Sequence, residues 1–297
     1  MSRRANRFCL VGLGEVLWDM LPSGPQLGGA PANFAYHAAA LGGEGAVASC
    51  VGSDELGRAI LARLDSLGLD RTAVAIDAAH PTGTVTVELD EAGRPQYTIH
   101  ENVAWDFISF SDSLVHLAAR ADAVCFGSLA QRSPGSRQTI EEFLDHTLKA
   151  CLRIFDINLR QSFYSRQVLE GSLERCDVVK LNDEELPVVA GLLDLGGDEH
   201  DALAALLKRY PLRLAVLTKG SAGSVLLSPR GRSQMDGQQV RVVDTVGAGD
   251  AFTAAVAMGL LEGADLAMLH RRACRLAAYV CTQAGATPPV PEELKRL

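Results

Sequence analysis

The chain has 297 residues, of which 47% are hydrophobic and 22% charged, and its formal net charge is −8. That length and apolar content can bury a large core, while the acidic balance argues against non-specific binding to nucleic acid or to an anionic membrane surface. A phosphate-bearing ligand would therefore need local positive potential from Arg, Lys, metal or backbone N–H groups.

Arg3, Arg4 and Arg7 precede an apolar run, but Glu15 and Asp19 interrupt it. A secretory signal needs an unbroken apolar segment, so Phe8–Leu13 reads as the first strand. No stretch is long and apolar enough to span a bilayer. A helix is predicted at Ala30–Leu41, with Pro31 near its start and Gly42 just past its end. A strand at Ala46–Val51 and a helix at Asp54–Ser66 follow, with Ser53 as the candidate N-cap. The β-branched run Gly83–Leu89, the turn Asp90-Glu91-Ala92-Gly93 and the segment Pro95–His100 read as a hairpin. Next come strands at Ala123–Gly127 and Leu152–Ile157 with a helix at Arg137–Ala150 between them. Then follow a strand at Val178–Leu181, helices at Glu184–Leu193 and Asp201–Tyr210, and strands at Leu212–Leu217 and Ser224–Leu227. Helices at Ala248–Leu261 and Ala264–Gln283 complete the series. Near-continuous apolar strands alternating with helices predict an α/β fold with a mostly parallel, doubly wound sheet. The hairpin would be an edge decoration or a lid. No internal repeat or low-complexity linker divides the chain.

The seven cysteines include no C-x-x-C and lie in runs such as Ala123-Val124-Cys125-Phe126. They read as buried, reduced thiols of a cytoplasmic protein. The seven histidines form no metal spacing, and Trp18 and Trp105 read as core residues, with lining a substrate cleft as the alternative.

The strongest motif is Asp244-Thr245-Val246-Gly247-Ala248-Gly249-Asp250. It follows a strand-like run, Val240–Val243, and opens an apolar helix. Small residues at a helix N-terminus let an anion approach bare N–H groups. A carboxylate beside that anion makes sense if Asp250 orients or deprotonates the attacking nucleophile; the plainer alternative is a helix-start turn with a dipole-favoured Asp. Gly28-Gly29-Ala30-Pro31-Ala32-Asn33 allows close backbone approach to a ligand, with Asn33 suited to a hydroxyl-rich one, or is simply a loop and helix start. Strand alternation places Asp156, Asn158 and Arg160 on one face at a strand end, as ligand contacts or simply as strand caps. Asn182-Asp183-Glu184-Glu185 could organise metal and phosphate or cap a helix. Thr218-Lys219-Gly220-Ser221-Ala222-Gly223 suits a phosphate or an ordinary hairpin turn. Gly12-Leu13-Gly14-Glu15-Val16-Leu17 lacks the third glycine of a dinucleotide fingerprint, and no P-loop occurs.

Together these motifs resemble the PfkB (ribokinase-like) family of carbohydrate kinases, from Gly14 to about Pro289. The resemblance implies a ribokinase-like three-layer α/β/α fold, one domain over 1–297, and a small β lid from about 15–30 and 83–106. It implies ATP-dependent phosphorylation of a sugar, with ATP and Mg²⁺ required. Asp250 would be the base, and the N–H groups of Gly247, Ala248 and Gly249 the anion hole. Asp19, Gly28, Gly29, Asn33, Asn102 and Arg160 would contact substrate. Asn182, Glu185, Thr218, Lys219, Gly220 and Gly223 would serve ATP, with Glu185 holding Mg²⁺ through water. Asp244 and the Val246 carbonyl match a monovalent-cation site of potassium-activated members, whose remaining ligands near Gly285 stay unassigned. Lid pairing in several members implies a homodimer. The segments Gly14–Pro22 and His100–Asp106 are similar to the bacterial fructokinase branch, which implies D-fructose phosphorylated at O6. 2-Keto-3-deoxygluconate, ribose and a nucleoside are the alternatives, and a non-catalytic sugar or nucleotide sensor is the alternative of another class.

Overall fold

The structure is a computed structural model that describes residues 7–22, 24–89 and 95–295. Strand β1 (Cys9–Leu13) shows how the chain sorts its side chains: Cys9, Val11 and Leu13 enter one apolar cluster and Leu10 the opposite one. Period-two alternation with both faces apolar is the mark of a strand covered on both sides.

In chain order, β2 (Leu17–Leu21), β3 (Gly24–Gly28), α1 (Ala30–Ala40), β4 (Glu44–Gly52), α2 (Glu55–Ser66) and β5 (Asp70–Asp77) follow. β6 (Thr84–Leu89) and β7 (Pro95–Ile99) precede α3 (Asp112–Arg120), β8 (Ala123–Phe126) and α4 (Pro134–His146). Then come β9 (Leu152–Asp156), α5 (Arg166–Leu173), β10 (Val178–Asn182), α6 (Glu185–Leu193), α7 (Glu199–Arg209) and β11 (Leu214–Thr218). β12 (Ser224–Ser228), β13 (Gly231–Met235), α8 (Ala248–Leu261), α9 (Leu266–Cys281) and α10 (Glu292–Lys295) complete the described chain.

Among the described residues, nine strands form one sheet in the order β13-β12-β11-β10-β9-β8-β1-β4-β5. It is parallel from β5 to β11, with β12 and β13 added antiparallel at one edge. Helices α3 to α7 pack on one face and α1, α2, α8 and α9 on the other. Each large apolar side chain buried between these layers contributes about 1.5–3 kcal/mol. A second sheet, β3-β2-β6-β7, stands apart, with β2 and β6 parallel and its other pairs antiparallel. The predicted hairpin strands are β6 and β7; its turn, Asp90–Gly93, lies outside the described residues.

Several expectations are corrected. Val240–Val243 forms no strand: it has no ladder partner, and Val242 and Val243 are more than half exposed. The helix expected at Arg137–Ala150 starts earlier, because Pro134 fits its N-terminus, and stops at His146 as Thr147 turns extended. Asp54, not Ser53, caps α2, its carboxylate accepting from the Gly57 N–H at 2.7 Å. Trp105 is fully buried, whereas Trp18 packs at a core edge with its Nε1 donating to the Leu56 carbonyl at 3.0 Å. All seven cysteines are free.

Candidate active site

The chain leaves β1 toward β4 and β5, then builds β8 to β13 on the other side. At the carboxyl edge of a parallel sheet such a reversal leaves a crevice where ligands bind. Along this edge end β9 at Asp156, β10 at Asn182 and β11 at Thr218.

Asp250 sits in the first turn of α8, whose N-cap Gly247 has φ 78°. A Cβ on Gly247 would lie 2.6 Å from the Ala286 carbonyl oxygen, so this left-handed, crowded turn demands glycine. Among the described residues the N–H groups of Gly247 and Gly249 have no backbone acceptor, while that of Ala248 lies 3.3 Å from the Thr245 carbonyl. Free amides at a helix N-terminus favour an anion. From α1, Asn33 Nδ2 donates to Asp250 Oδ2 at 2.8 Å. Asn33 is buried, and its Oδ1 has no partner. The Asp250 carboxyl is raised from 3.8 to about 6. Burial is the largest cause and repulsion from Asp156 the next, opposed by Lys180, the Asn33 hydrogen bond and Arg160. This moves the carboxyl from the ordinary aspartate range toward the range suited to a general base.

In the second sheet, Asp19 of β2 reaches over Gly28, where a Cβ would lie 2.4 Å from Asp19 Oδ2. Burial raises the Asp19 carboxyl and Arg160 lowers it. Gly29 has φ 109°, and a Cβ there would lie 2.5 Å from the Glu15 carbonyl oxygen. The alternation predicted for Asp156, Asn158 and Arg160 fails. β9 stops at Asp156, and Asn158 and Gln161 turn left-handed on either side of Arg160. Arg160 nevertheless sends its positive field to Glu15, Asp19 and Asp250. Asn102 is exposed and left-handed, and among the described residues no hydrogen bond links it to Asp19, Asn33 or Asp250.

Asn182 and Thr218 are register partners on β10 and β11, which sets the two predicted nucleotide motifs side by side. Asn182 Oδ1 accepts from the N–H groups of Glu184 and Glu185 at 2.9 and 2.8 Å, so it does cap α6. Glu185 accepts from the Leu159 N–H at 2.9 Å and the Asn182 N–H at 2.8 Å, one on each oxygen. Burial raises its carboxyl, with Lys180 opposing. The turn after Thr218 is closed by the Lys219 N–H donating to the Gly223 carbonyl at 2.8 Å. Gly220 and Gly223 have positive φ, and a Cβ on Gly223 would lie 2.0 Å from the Met235 carbonyl oxygen. Lys219 Nζ is 3.3 Å from Glu199.

Among the described residues no group of three His, Cys, Asp or Glu could cage a metal ion. Mg²⁺ is usually held by one or two carboxylates together with substrate phosphates. Glu185 keeps a spare lone pair on each oxygen and fits that use through water. Asp244 accepts from the Val246 N–H at 3.0 Å and the Gly285 N–H at 3.1 Å, which brings the Asp244–Val246 turn against the segment at Gly285.

Two charged residues of the cleft were not assigned from sequence. Lys180, on β10, has its ammonium 2.9 Å from Asp156. A lone lysine inside an apolar strand run was the available signal, since buried lysines require partners. Glu15, read only as a break in an apolar run, is buried with Oε2 unpartnered and its carboxyl raised to about 7.

The pfkB family carbohydrate kinase signature matches residues 25–293. A fructokinase of Klebsiella pneumoniae is 34% identical over 261 residues, covering 84% of this chain and 83% of its own. The structure of a Pyrococcus horikoshii sugar kinase in complex with ATP is 26% identical, with a TM-score of 0.78 and 94% of both chains covered. A doubly substituted Vibrio cholerae fructokinase, solved in a form bound to fructose, ADP and potassium ion, is 25% identical, with a TM-score of 0.77 and 96% of both chains covered. The expected three-layer, ribokinase-like architecture is borne out.

Proposed function

The chain belongs to the pfkB family of carbohydrate kinases and is a phosphotransferase, and on that premise we propose that it transfers the γ-phosphoryl of ATP to O6 of D-fructose. The observation that carries this reading is the contact between Asn33 and Asp250. It sets a carboxylate of raised pKa beside free helix N–H groups and across from Asp19 and Arg160. The acceptor is a fructose hydroxyl because relatives over more than four-fifths of the chain are fructokinases.

In this mechanism Asp19, Gly28, Gly29, Asn33, Asn102 and Arg160 hold the sugar. Asp250 accepts the hydroxyl proton as the oxygen bonds to phosphorus and the bond to the ADP oxygen breaks. Phosphoryl transfer passes through a loose transition state, so positioning and charge neutralisation matter more than early proton removal. The N–H groups of Gly247, Ala248 and Gly249 receive the charge on the transferring group. Thr218, Lys219, Gly220 and Gly223 hold the nucleotide, and Asn182 and Glu185 would hold Mg²⁺ through water. Mg²⁺, when bound, supplies electrostatic neutralisation of the phosphates. Asp244 and the Val246 carbonyl would take a monovalent cation; a relative solved with potassium supports testing K⁺.

We read the chain as one domain over 1–297 in which the second sheet, within 15–30 and 83–106, is a lid. Gln161 Nε2 donates to the Tyr97 carbonyl at 2.7 Å, tying the loop that carries Arg160 to β7. Closure would exclude water and limit idle ATP hydrolysis. The same sheet is our proposed dimer contact, and free thiols support a cytoplasmic setting.

The test is ADP release with Mg-ATP, with and without K⁺, against fructose, 2-keto-3-deoxygluconate, ribose, mannose and adenosine. Turnover on fructose alone is expected. Turnover on a different member of the panel would keep the kinase and discard fructose.

A further inference from the structure

This inference rests on the kinase reading and concerns Lys180, to which that reading gives no role. The register of β9 and β10 sets Lys180 directly beside Asp156. Its Nζ donates to Asp156 Oδ1 at 2.9 Å. From α8, Thr253 Oγ1 lies 2.9 Å from Asp156 Oδ2 and 3.0 Å from the Gly249 carbonyl oxygen, one hydroxyl proton between two acceptors. A Cβ on Gly249 would lie 3.0 Å from Lys180 Nζ, so the ammonium sits directly beneath the turn that presents Asp250. Lys180, Asp156 and Thr253 are all buried.

A buried ion pair is a poor source of net stability, because desolvation offsets the Coulomb gain. The surroundings suggest another use. Asp156, Glu185 and Asp250 all face Lys180, which stays charged, its pKa above the ordinary lysine value despite burial. Without that ammonium Asp250 would face Asp156 with only Arg160 left to supply positive charge.

We propose that Lys180 is a positioning residue for phosphoryl transfer: clamped by Asp156 beneath Gly249, its ammonium anchors the first turn of α8 and keeps Asp250 ionised among neighbouring carboxylates. The groups that face Asp250 are Asp156, Lys180, Asn33, Arg160 and Glu15. The Cys125 thiol beneath them is pushed far up and stays neutral.

The test compares Lys180→Met, Asp156→Asn and the double variant with the parent enzyme. Titration of the Asp250 carboxyl by ¹³C NMR is the first readout and the acid limb of kcat/KM the second. Lys180→Met is expected to move both midpoints up by about one unit or more, and Asp156→Asn to move them down. The double variant is expected near the parent. If Lys180→Met does not fold, because it buries an unpaired Asp156, the step from Asp156→Asn to the double variant isolates the same charge and must be upward. An Asp250 midpoint that stays fixed across the series overturns the proposal, even if kcat falls. A parent enzyme that turns over no sugar overturns the kinase reading instead, and the NMR titration still decides on Lys180.

Discussion

The two halves of the cleft are built differently. The half proposed to hold the acceptor is made of buried and half-buried polar groups locked together from four elements: Asn33 from α1, Asp250 and Thr253 from α8, Asp156 from β9 and Lys180 from β10. The half proposed to hold the nucleotide is made of turns at the surface. Lys219 reaches an exposed glutamate, and Gly220, Ser221 and Ala222 of the same turn are exposed. Charge that must be tuned needs fixed partners in a low-dielectric setting. A surface that must admit and release a nucleotide needs neither. The two halves meet at Glu185, which accepts from the backbone N–H groups of Leu159 and Asn182.

If that contrast holds, the largest effect belongs to Asp250. Asp250→Asn is expected to lower kcat by about 10²–10⁴-fold. Its thermal midpoint should be unchanged or raised, since the variant removes a desolvated charge. In the parent enzyme the carboxyl gains a proton as pH falls through about 6. kcat/KM should therefore fall about tenfold per pH unit below that point. Activity within tenfold of the parent in Asp250→Asn would remove the base assignment.

Glu15 sharpens the contrast through stability. Burial, with added repulsion from Asp250, raises its carboxyl from 4.5 to about 7, although backbone hydrogen bonds and Arg160 oppose the shift. The folded chain thus holds a proton that the unfolded chain releases near 4.5. Stability falls as pH rises from about 4.5 to about 7, by roughly 3 kcal/mol in full. Glu15→Gln escapes that loss. Its advantage in thermal midpoint over the parent should grow through this window and level off above it. Superimposable pH–melting curves would mean that Glu15 is charged and satisfied in the fold.

The history of these residues in the sequence is instructive. β1, β4, β8, β9, β10 and β11 were legible because central parallel strands read as unbroken apolar runs. β5 and β13 lie at the sheet edges and carry polar residues, and β2 and β3 interleave Asp19 with glycines, so none gave a clear period. α3 and α5 were missed although both are helical. Their short amphipathic stretches carry few cues beyond a serine at the N-cap. The site divides in the same way. Asp250 with its glycines, Asn33, and Asn182 with Glu185 lie in compact motifs whose residues act close to their sequence neighbours. Lys180 acquires meaning only from the β9–β10 register that sets it against Asp156. Glu15 acquires meaning only when α8 brings Asp250 within reach of its field.

The smallest effect is expected at Lys219, and it tests the open half directly. Its ion pair with Glu199 is 3.3 Å long, and the glutamate is more than half exposed. Such pairs contribute about 0–1 kcal/mol, so Lys219→Ala should leave the thermal midpoint nearly unchanged. An ammonium on a surface turn can still meet an ATP phosphate, as a flexible point charge rather than a rigid fork. The expected result is a rise in KM for ATP of about two- to tenfold, shrinking with added salt as screening increases, with kcat and the sugar KM held. A collapse in kcat on the scale of Asp250→Asn would place Lys219 at the transferring phosphoryl. The nucleotide half would then be as tightly tuned as the acceptor half, and the contrast between them would be lost.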